Sequence, residues 1–332
     1  MNGKRWAAII IAVVVFGFSV VLSFTTMFFT QSANLQQAFS MNKEFSEDVI
    51  TPGSSDSKIA VLEVDGTIQD TGQASSVFQG SGYNHKQFLD MIKEAQDDNK
   101  IKGIILRVNS PGGGVVESAE IHKKLMDLKK KTKKPIYVSM ETIAASGGYY
   151  ISTAGDKIYA APDTLTGSLG VIMQGVNYGA LAKQFGIKFD TIKSGPYKDI
   201  MSPNRDMTPA ERKILQGMVN NAYKGFVGVI SEGRHMSEAE VRKIADGRIY
   251  DGRQAKQIGL VDELGYYDDA VAGMRKQLGV NAEVVKYKTG GGISSLLNMS
   301  TQKIFSEDFK AFGMYQLFSK PNAARLMYMY SE

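Results

Sequence analysis

The chain has 332 residues, of which 43% are hydrophobic and 22% are charged, so it can bury a sizeable core and wholesale disorder is excluded. It contains no cysteine, which excludes disulfides, a thiol nucleophile and cysteine-based metal sites. The net charge of +5 is small for this length and does not indicate a nucleic-acid partner. The 3 histidines lie far apart without metal-ligand spacing, so we expect no catalytic metal.

The N-terminus has the pattern of a membrane anchor. Lys4 and Arg5 precede an uncharged, mostly apolar run over residues 6–29. A helix of this length spans about 36 Å, enough to cross a hydrocarbon core of about 30 Å. Positive charge before the run predicts a cytoplasmic N-terminus, with residues 1–30 as stub and anchor and the rest of the chain outside the cytoplasm. A cleaved secretory signal is the alternative, but the run is long for one and no A-x-A site follows it.

Beyond the anchor, the sequence predicts a linker, one α/β domain and a tail. Residues 31–57 are polar and end in TPGSSDS, which favours a linker. Over residues 58–289, short apolar runs typical of buried parallel strands alternate with helical patterns. A run of three glycines then predicts a hinge to a C-terminal tail, residues 290–332.

Within the α/β domain, four strands and three helices are predicted up to residue 160, and two helix starts further on. In chain order the elements are strand IAVLEVDG (59–66), helix 84–99, strand GIILRV (103–108), helix 115–131, strand PIYVSM (135–140), helix 146–155 and strand KIYA (157–160). Thr208 and Ser237 each open a capping-box sequence, with Glu three residues later, and therefore mark the two helix starts.

A glycine-rich turn, NSPGGG (109–114), follows the second predicted strand directly. Glycines allow a tight turn and let backbone N–H groups approach a ligand closely, and the N-terminus of the next helix favours negative charge. The turn is therefore suited to an oxyanion hole or a phosphate cradle. It lacks the GK[ST] ending of a Walker loop, and a turn that binds no ligand is the alternative.

A second junction, AASGGYY (144–150), follows the third predicted strand. Ser146 lies between small residues at a helix start, so it is either a plain N-cap or a nucleophile on a sharp turn. A nucleophile and an oxyanion hole at the ends of two nearby strands would form half of an acyl-transfer site. The two junctions together favour the catalytic interpretation of Ser146.

A serine nucleophile needs a base, and the residues alone leave that choice open. His122 lies in a lysine-rich helix and His235 in a polar connection 89 residues after Ser146, so neither is favoured. A lysine base must be neutral at the working pH, which requires burial to lower its pKa by about 3 units. The candidates are Lys183, Lys188, Lys193 and Lys198. The last two share one loop, and composition cannot choose between them.

Five motifs follow one another along the chain. They are NSPGGG (109–114), AASGGYY (144–150), TGSLGV (166–171), SGPYKDIMSP (194–203) and GRIYDGRQAKQIGLVDELG (247–265). In this order they closely resemble the bacterial signal peptide peptidase A family of serine–lysine peptidases. The resemblance covers about residues 59–283, and the length is similar to that of the short, single-module form.

The resemblance implies a role for each residue of the candidate site. Ser146 would be the nucleophile, Lys198 rather than Lys193 the general base, and Ser168 would orient the lysine. The backbone N–H group of Gly113 would form the oxyanion hole together with a second donor.

Two assignments within the oxyanion hole stay open. The second donor is Gly147 or Ser146 itself, and Gly113 is preferred over Gly112 and Gly114 only weakly.

The resemblance also implies a Clp-protease/crotonase-like fold of repeated ββα units that assembles into homo-oligomeric rings. The serine and the lysine would then meet across a subunit boundary.

These inferences predict a single-pass membrane serine endopeptidase that acts outside the cytoplasm without a cofactor. Its substrates would be extended hydrophobic peptides, above all signal peptides left in the membrane after secretion, with a small or apolar residue before the scissile bond. A crotonase-like acyl-CoA enzyme and a non-catalytic ring scaffold on a membrane stalk are the alternatives. Because AARLMYMY (323–330) is itself small and apolar, we also hypothesise that the tail enters the peptide groove.

Overall fold

The computed structural model describes residues 45–70, 83–289 and 326–330. The anchor predicted over residues 1–30 lies outside these segments, as does most of the tail. No helix within the described segments combines the length and the apolar character needed to cross a membrane.

The chain divides into two compact units. One comprises residues 1–46 and 288–313 and is described only at two short ends. The other comprises residues 47–287 and 314–332. It contains all the described helices and every predicted site residue.

Twelve strands and eight helices are present in the described residues. The strands are β1 (Phe45–Thr51), β2 (Ser54–Asp65), β3 (Ile101–Ser110), β4 (Gly112–Gly114), β5 (Ile136–Ala145), β6 (Lys157–Ala160), β7 (Leu165–Gly167), β8 (Ile172–Met173), β9 (Ile249–Tyr250), β10 (Glu263–Leu264), β11 (Ala282–Thr289) and β12 (Leu326–Met329). The helices are α1 (His85–Asp97), α2 (Val115–Thr132), α3 (Gly147–Ser152), α4 (Gly179–Gln184), α5 (Pro209–Arg234), α6 (Glu238–Ile244), α7 (Gly252–Gln257) and α8 (Tyr267–Leu278).

A parallel sheet with the strand order β11-β2-β3-β5-β6-β10 forms the centre of the fold. Its strands are nearly continuous apolar runs because both of their faces are covered. On one face, Met274 of α8 is fully buried in a cluster with Ile59, Ile105 and Val284. The α/β class predicted from the alternating strand and helix patterns is confirmed.

Three predicted site segments meet at one edge of this sheet. β3 ends at Ser110, β5 at Ala145 and β7 at Gly167. Ser110 lies opposite Ala144, and Ala145 lies opposite Gly167 in a parallel pair. The glycine-rich turn and the turns after β5 and β7 are therefore neighbours in space.

The predicted linker over residues 31–57 needs correction in its last part. Residues 45–51 form β1, and β2 begins at Ser54 rather than near residue 59. Most side chains of β1 and of the start of β2 are exposed or half-buried, so the sequence there lacks the apolar run that marks a buried strand. The earlier part of the predicted linker lies outside the described residues.

The predicted helix starts are confirmed, and one predicted boundary is shifted in a way that matters for the site. The Thr208 and Ser237 side chains each accept a hydrogen bond from a Glu amide three residues later, which completes both capping boxes. β5 continues past the predicted end at residue 140 as far as Ala145. Ser146 therefore follows the strand without an intervening loop.

Candidate active site

Ser146 occupies a strained turn between β5 and α3. Its backbone has φ 54° and ψ −112°, a conformation that residues other than glycine rarely adopt. The Ser146 amide donates a hydrogen bond to the carbonyl oxygen of Gly167 at 2.8 Å, which ties the turn to the end of β7. Ser146 stands at the N-cap position of α3, but its side chain makes no capping hydrogen bond. The plain N-cap interpretation is therefore wrong.

The Ser146 hydroxyl is buried without a partner. The residue is 1% exposed, and its Oγ has no hydrogen bond to any residue that the structure describes. A buried polar group left unpaired costs about 1–3 kcal/mol. Proteins keep such an unpaired group at sites where another group, such as a substrate or a second protein chain, supplies the missing hydrogen-bond partner.

The glycine-rich turn brings backbone amides close to Ser146. Gly112 has φ 103°, and the Ser110 hydroxyl accepts a hydrogen bond from its amide at 3.1 Å. A Cβ atom on Gly112 would lie only 2.6 Å from the Gly147 amide nitrogen, and one on Gly147 would lie 3.1 Å from the Gly113 amide nitrogen. The turns that carry Gly113 and Gly147 thus face one narrow space beside Ser146, where an oxyanion could be held.

Ser168 lies in the neighbouring turn, directly after β7. It is 8% exposed with φ 50°, and its amide donates a hydrogen bond to the carbonyl oxygen of Arg248 at 2.7 Å. Because Ala145 and Gly167 are paired, Ser146 and Ser168 follow two adjacent strand ends. The structure therefore brings together the predicted nucleophile, the glycine-rich turn and Ser168.

The structure does not join Lys198 to these residues within one protomer. Lys198 lies in an exposed loop between α4 and α5, and its ammonium makes no hydrogen bond or ion pair with the described residues. Lys193 in the same loop is different, because its Nζ atom donates to the Asp199 carboxylate at 2.7 Å and to the Pro196 carbonyl oxygen at 3.2 Å. Of the two lysines between which composition could not choose, only Lys198 has a side chain free to act elsewhere.

The histidines do not reach the Ser146 hydroxyl, which has no partner in the described residues. The His122 ring contacts the edge of Tyr150, with ring centres 5.4 Å apart. Burial, with the Lys129 ammonium nearby, lowers the pKa of His122 to about 4. His235 ends α5 in a left-handed conformation and is exposed.

A segment of the C-terminal tail occupies the groove along the glycine-rich turn. β12 pairs antiparallel with β4 on one side and with β8 on the other. Tyr328 lies opposite Gly113, and the Tyr330 amide donates a hydrogen bond to the Pro111 carbonyl oxygen at 2.9 Å. An extended peptide bound between two strands in this way uses main-chain hydrogen bonds for affinity and side-chain pockets for specificity.

The Tyr328 side chain fills a pocket that sequence reasoning missed. The residue is 2% exposed, its ring stacks on Tyr150 at 5.0 Å and tilts against Phe226 at 4.6 Å. Its hydroxyl donates a hydrogen bond to the Ala222 carbonyl oxygen at 3.0 Å. Tyr150 lies one helical turn after Ser146 in the AASGGYY motif, and that spacing was the available signal. Phe226 belongs to the distant helix α5, so no local pattern indicated it.

Comparison with known proteins connects this arrangement with proteolysis. The profile of peptidase family S49 matches residues 128–281. A protein of Enterococcus faecium named as a signal peptide peptidase (SppA) is 42% identical over 306 residues, which cover 90% of this chain and 88% of that protein. A protein of Methanocaldococcus jannaschii named as a protease is 41% identical over 219 residues, or 66% of this chain and 70% of that protein. Protease 4 of Salmonella typhi is 36% identical over 222 residues, or 67% of this chain and 35% of that protein.

Proposed function

Because this chain belongs to peptidase family S49 and is a serine endopeptidase, we propose that Ser146 is its nucleophile and is activated by Lys198 from a neighbouring protomer. The observation that carries the proposal is that neither Ser146 nor Lys198 is paired with a described residue of its own protomer. The Ser146 hydroxyl is buried without a partner in the described residues, and the exposed Lys198 ammonium makes no bond to them. Assembly of two protomers would supply each group with its partner.

The segment that precedes Lys198 supports a homo-oligomeric ring. Val176, Phe185 and Ile192 are 69%, 75% and 103% exposed in the single protomer. Apolar patches of this kind mark protein–protein interaction surfaces. We propose that this segment packs on the next protomer and delivers Lys198 to the partner's serine.

The proposed mechanism uses backbone donors and a neutral amine. Lys198 accepts the proton of Ser146, whose Oγ attacks the peptide carbonyl, and Ser168 orients the lysine. A lysine is neutral more readily when it is removed from water, as at a subunit boundary. The N–H groups of Gly113 and Gly147 stabilise the tetrahedral oxyanion, each such donor being worth about 3–4 kcal/mol. The lysine then protonates the leaving amine, and water hydrolyses the acyl-enzyme.

The proposed substrates are extended hydrophobic peptides, among them signal peptides. The antiparallel seating of β12 and the aromatic pocket around Tyr328 support an extended substrate with an apolar side chain.

We further propose a single membrane span over residues 6–29 that holds the catalytic domain outside the cytoplasm, and a Clp-protease/crotonase-like arrangement of ββα units. Family membership disfavours the acyl-CoA enzyme and the non-catalytic scaffold.

The shared dyad is tested by mixing two inactive variants of the full chain in detergent. Ser146→Ala and Lys198→Ala rings are each expected to be inactive on a synthetic signal peptide. After subunit exchange, about a quarter of the boundaries in an equal mixture would hold one intact serine and one intact lysine, so about a quarter of the activity should return. Lys131→Ala, which removes an exposed lysine of α2, is the matched control and should stay active. No recovery despite verified exchange would place both residues in one chain.

Removing the tail should expose the groove. Deletion of residues 322–332 is expected to lower the KM for a peptide substrate by roughly tenfold with little change in kcat, because a tethered competitor has a high effective concentration. Tyr328→Ala, which keeps the tail but empties the aromatic pocket, should lower KM in the same direction by a smaller factor. Steady-state kinetics decide the matter, and unchanged activity and KM after the deletion would contradict occupation of the groove.

A further inference from the structure

The carboxylate of Asp199, the residue that follows Lys198, is bound by the guanidinium of Arg205 in addition to the ammonium of Lys193. Arg205 Nε donates to Asp199 Oδ2 at 2.9 Å, and Arg205 Nη2 donates to Asp199 Oδ1 at 2.7 Å. Nη2 also reaches the main-chain carbonyl oxygen of Asp199 at 3.2 Å. A planar guanidinium that binds both carboxylate oxygens fixes direction as well as distance. Arg205 therefore sets both the side chain and the backbone of Asp199.

The same guanidinium also binds the first turn of α5. Arg205 Nη1 donates to Glu211 Oε2 at 3.0 Å, and Glu211 is 1% exposed. Glu211 closes the capping box with Thr208 at the start of α5. That helix has 26 residues and buries Phe226 further along. The guanidinium thus links the turn that carries Lys198 to a long helix whose C-terminal part packs in the core.

The charges of this network persist at every pH at which a lysine could act as a base. The hydrogen bond from Arg205, with those from Thr208, lowers the pKa of Glu211 to about 2. Arg205 and then Lys193 hold the pKa of Asp199 well below its usual range. Both carboxylates accordingly stay ionised, and both remain attached to Arg205.

Apolar packing does little to fix the same loop. Ile192 is fully exposed and Tyr197 is 48% exposed. Short turns, such as the hydrogen bond from the Lys198 amide to the Gly195 carbonyl oxygen at 3.2 Å, shape the backbone locally but do not tie it to the core. The direction in which Lys198 leaves the protomer therefore depends on the polar network around Arg205.

We infer that Arg205 is a positioning residue for Lys198: by clamping Asp199 to the start of α5, it aims the lysine at the serine it serves. The inference rests on the proposed function, in which Lys198 is the base. It predicts that loss of Arg205 weakens catalysis only in the protomer that supplies the working lysine. An arginine needed merely for folding or assembly would matter equally in either protomer.

Mixed rings separate these two roles. In the first mixture, Ser146→Ala/Arg205→Gln chains are combined with Lys198→Ala chains, so Arg205→Gln is in the chain that supplies the working lysine. In the second mixture, Ser146→Ala chains are combined with Lys198→Ala/Arg205→Gln chains, so Arg205→Gln is in the chain whose lysine is already removed. Both mixtures contain the same share of Arg205→Gln, so any assembly defect affects them equally. We expect the restored activity of the first mixture to be at least tenfold lower than that of the mixture without Arg205→Gln, and the restored activity of the second to stay within twofold of it.

A matched control comes from an exposed ion pair elsewhere. Arg253 pairs with Asp163 at 2.6 Å on the surface. Arg253→Gln, placed in the chain that supplies the working lysine, should leave the restored activity unchanged. Equal activity of the two Arg205 mixtures would overturn the inference.

A second measurement does not depend on subunit mixing. In the otherwise natural chain, Arg205→Gln should lower kcat at least tenfold and leave the peptide KM within twofold, and Arg205→Lys should recover only part of kcat. A raised KM with unchanged kcat would overturn the positioning role. If the unmodified mixture regains no activity, the shared dyad fails, but the kcat and KM values still decide whether Arg205 positions the base.

Discussion

Ser146→Gly is expected to give a protein that is inactive yet more stable than the natural chain. Loss of the proposed nucleophile should lower kcat/KM on a synthetic signal peptide by about 10⁴-fold or more. Glycine tolerates the φ of 54° that strains the serine. The relieved strain exceeds the added entropy of the unfolded glycine, so we expect a gain of about 1 kcal/mol in the free energy of unfolding. Peptide kinetics and urea denaturation measure the two effects.

Ser152 offers the opposite behaviour and serves as the matched control. It is fully buried in α3, and its Oγ donates a hydrogen bond to the Gly148 carbonyl oxygen at 2.7 Å. Ser152→Ala should therefore cost about 1 kcal/mol of stability and retain most of the activity. A destabilised or active Ser146→Gly variant would contradict the assignment of Ser146 as a strained nucleophile.

The sequence was sufficient to place the candidate site because its parts follow parallel strands. Apolar runs identified β3 and β5, and the carboxyl ends of parallel strands share one edge. Ser146 and Gly113 could therefore be expected to lie near each other. The sharp turn at Ser146 was one of two interpretations that the sequence left open, but the hydrogen bond from the Ser146 amide to Gly167 could not be predicted from a local pattern.

Long-range pairings were beyond the reach of local patterns. The small and apolar tail was predicted to enter the peptide groove, but no local pattern indicates the register in which Tyr328 lies opposite Gly113, more than 200 residues earlier in the chain. The choice between the two loop lysines likewise depends on Asp199, whose ion pair with Lys193 appears only once the loop is folded. Strand β1 was missed because its sequence, FSEDVIT, shows neither a buried apolar run nor a regular alternation of apolar and polar residues.

Gly112→Ala is expected to impair catalysis severely through a backbone collision. Gly112 has φ 103°, and a Cβ atom there would overlap the Tyr328 carbonyl oxygen and lie 2.6 Å from the Gly147 amide nitrogen. The tail can leave the groove, but the Gly147 amide, a proposed oxyanion donor, cannot move without losing its direction toward the oxyanion. Displacing one such donor costs about 10²–10³-fold in kcat. The measurement is kcat on a peptide substrate, made with the full chain and with residues 322–332 deleted.

Gly114→Ala in the same turn supplies the control that identifies the cause. Gly114 has φ −65°, an ordinary conformation, and the nearest atom to its added Cβ would be the carboxylate end of Glu117. A flexible side chain can rotate away, so we expect less than a few-fold loss of activity. If Gly112→Ala regained full activity once the tail was deleted, the collision with Tyr328 would be the whole effect. A loss that persists without the tail would show that the turn itself is impaired, through the contact with the Gly147 amide and the strain of placing alanine at φ 103°.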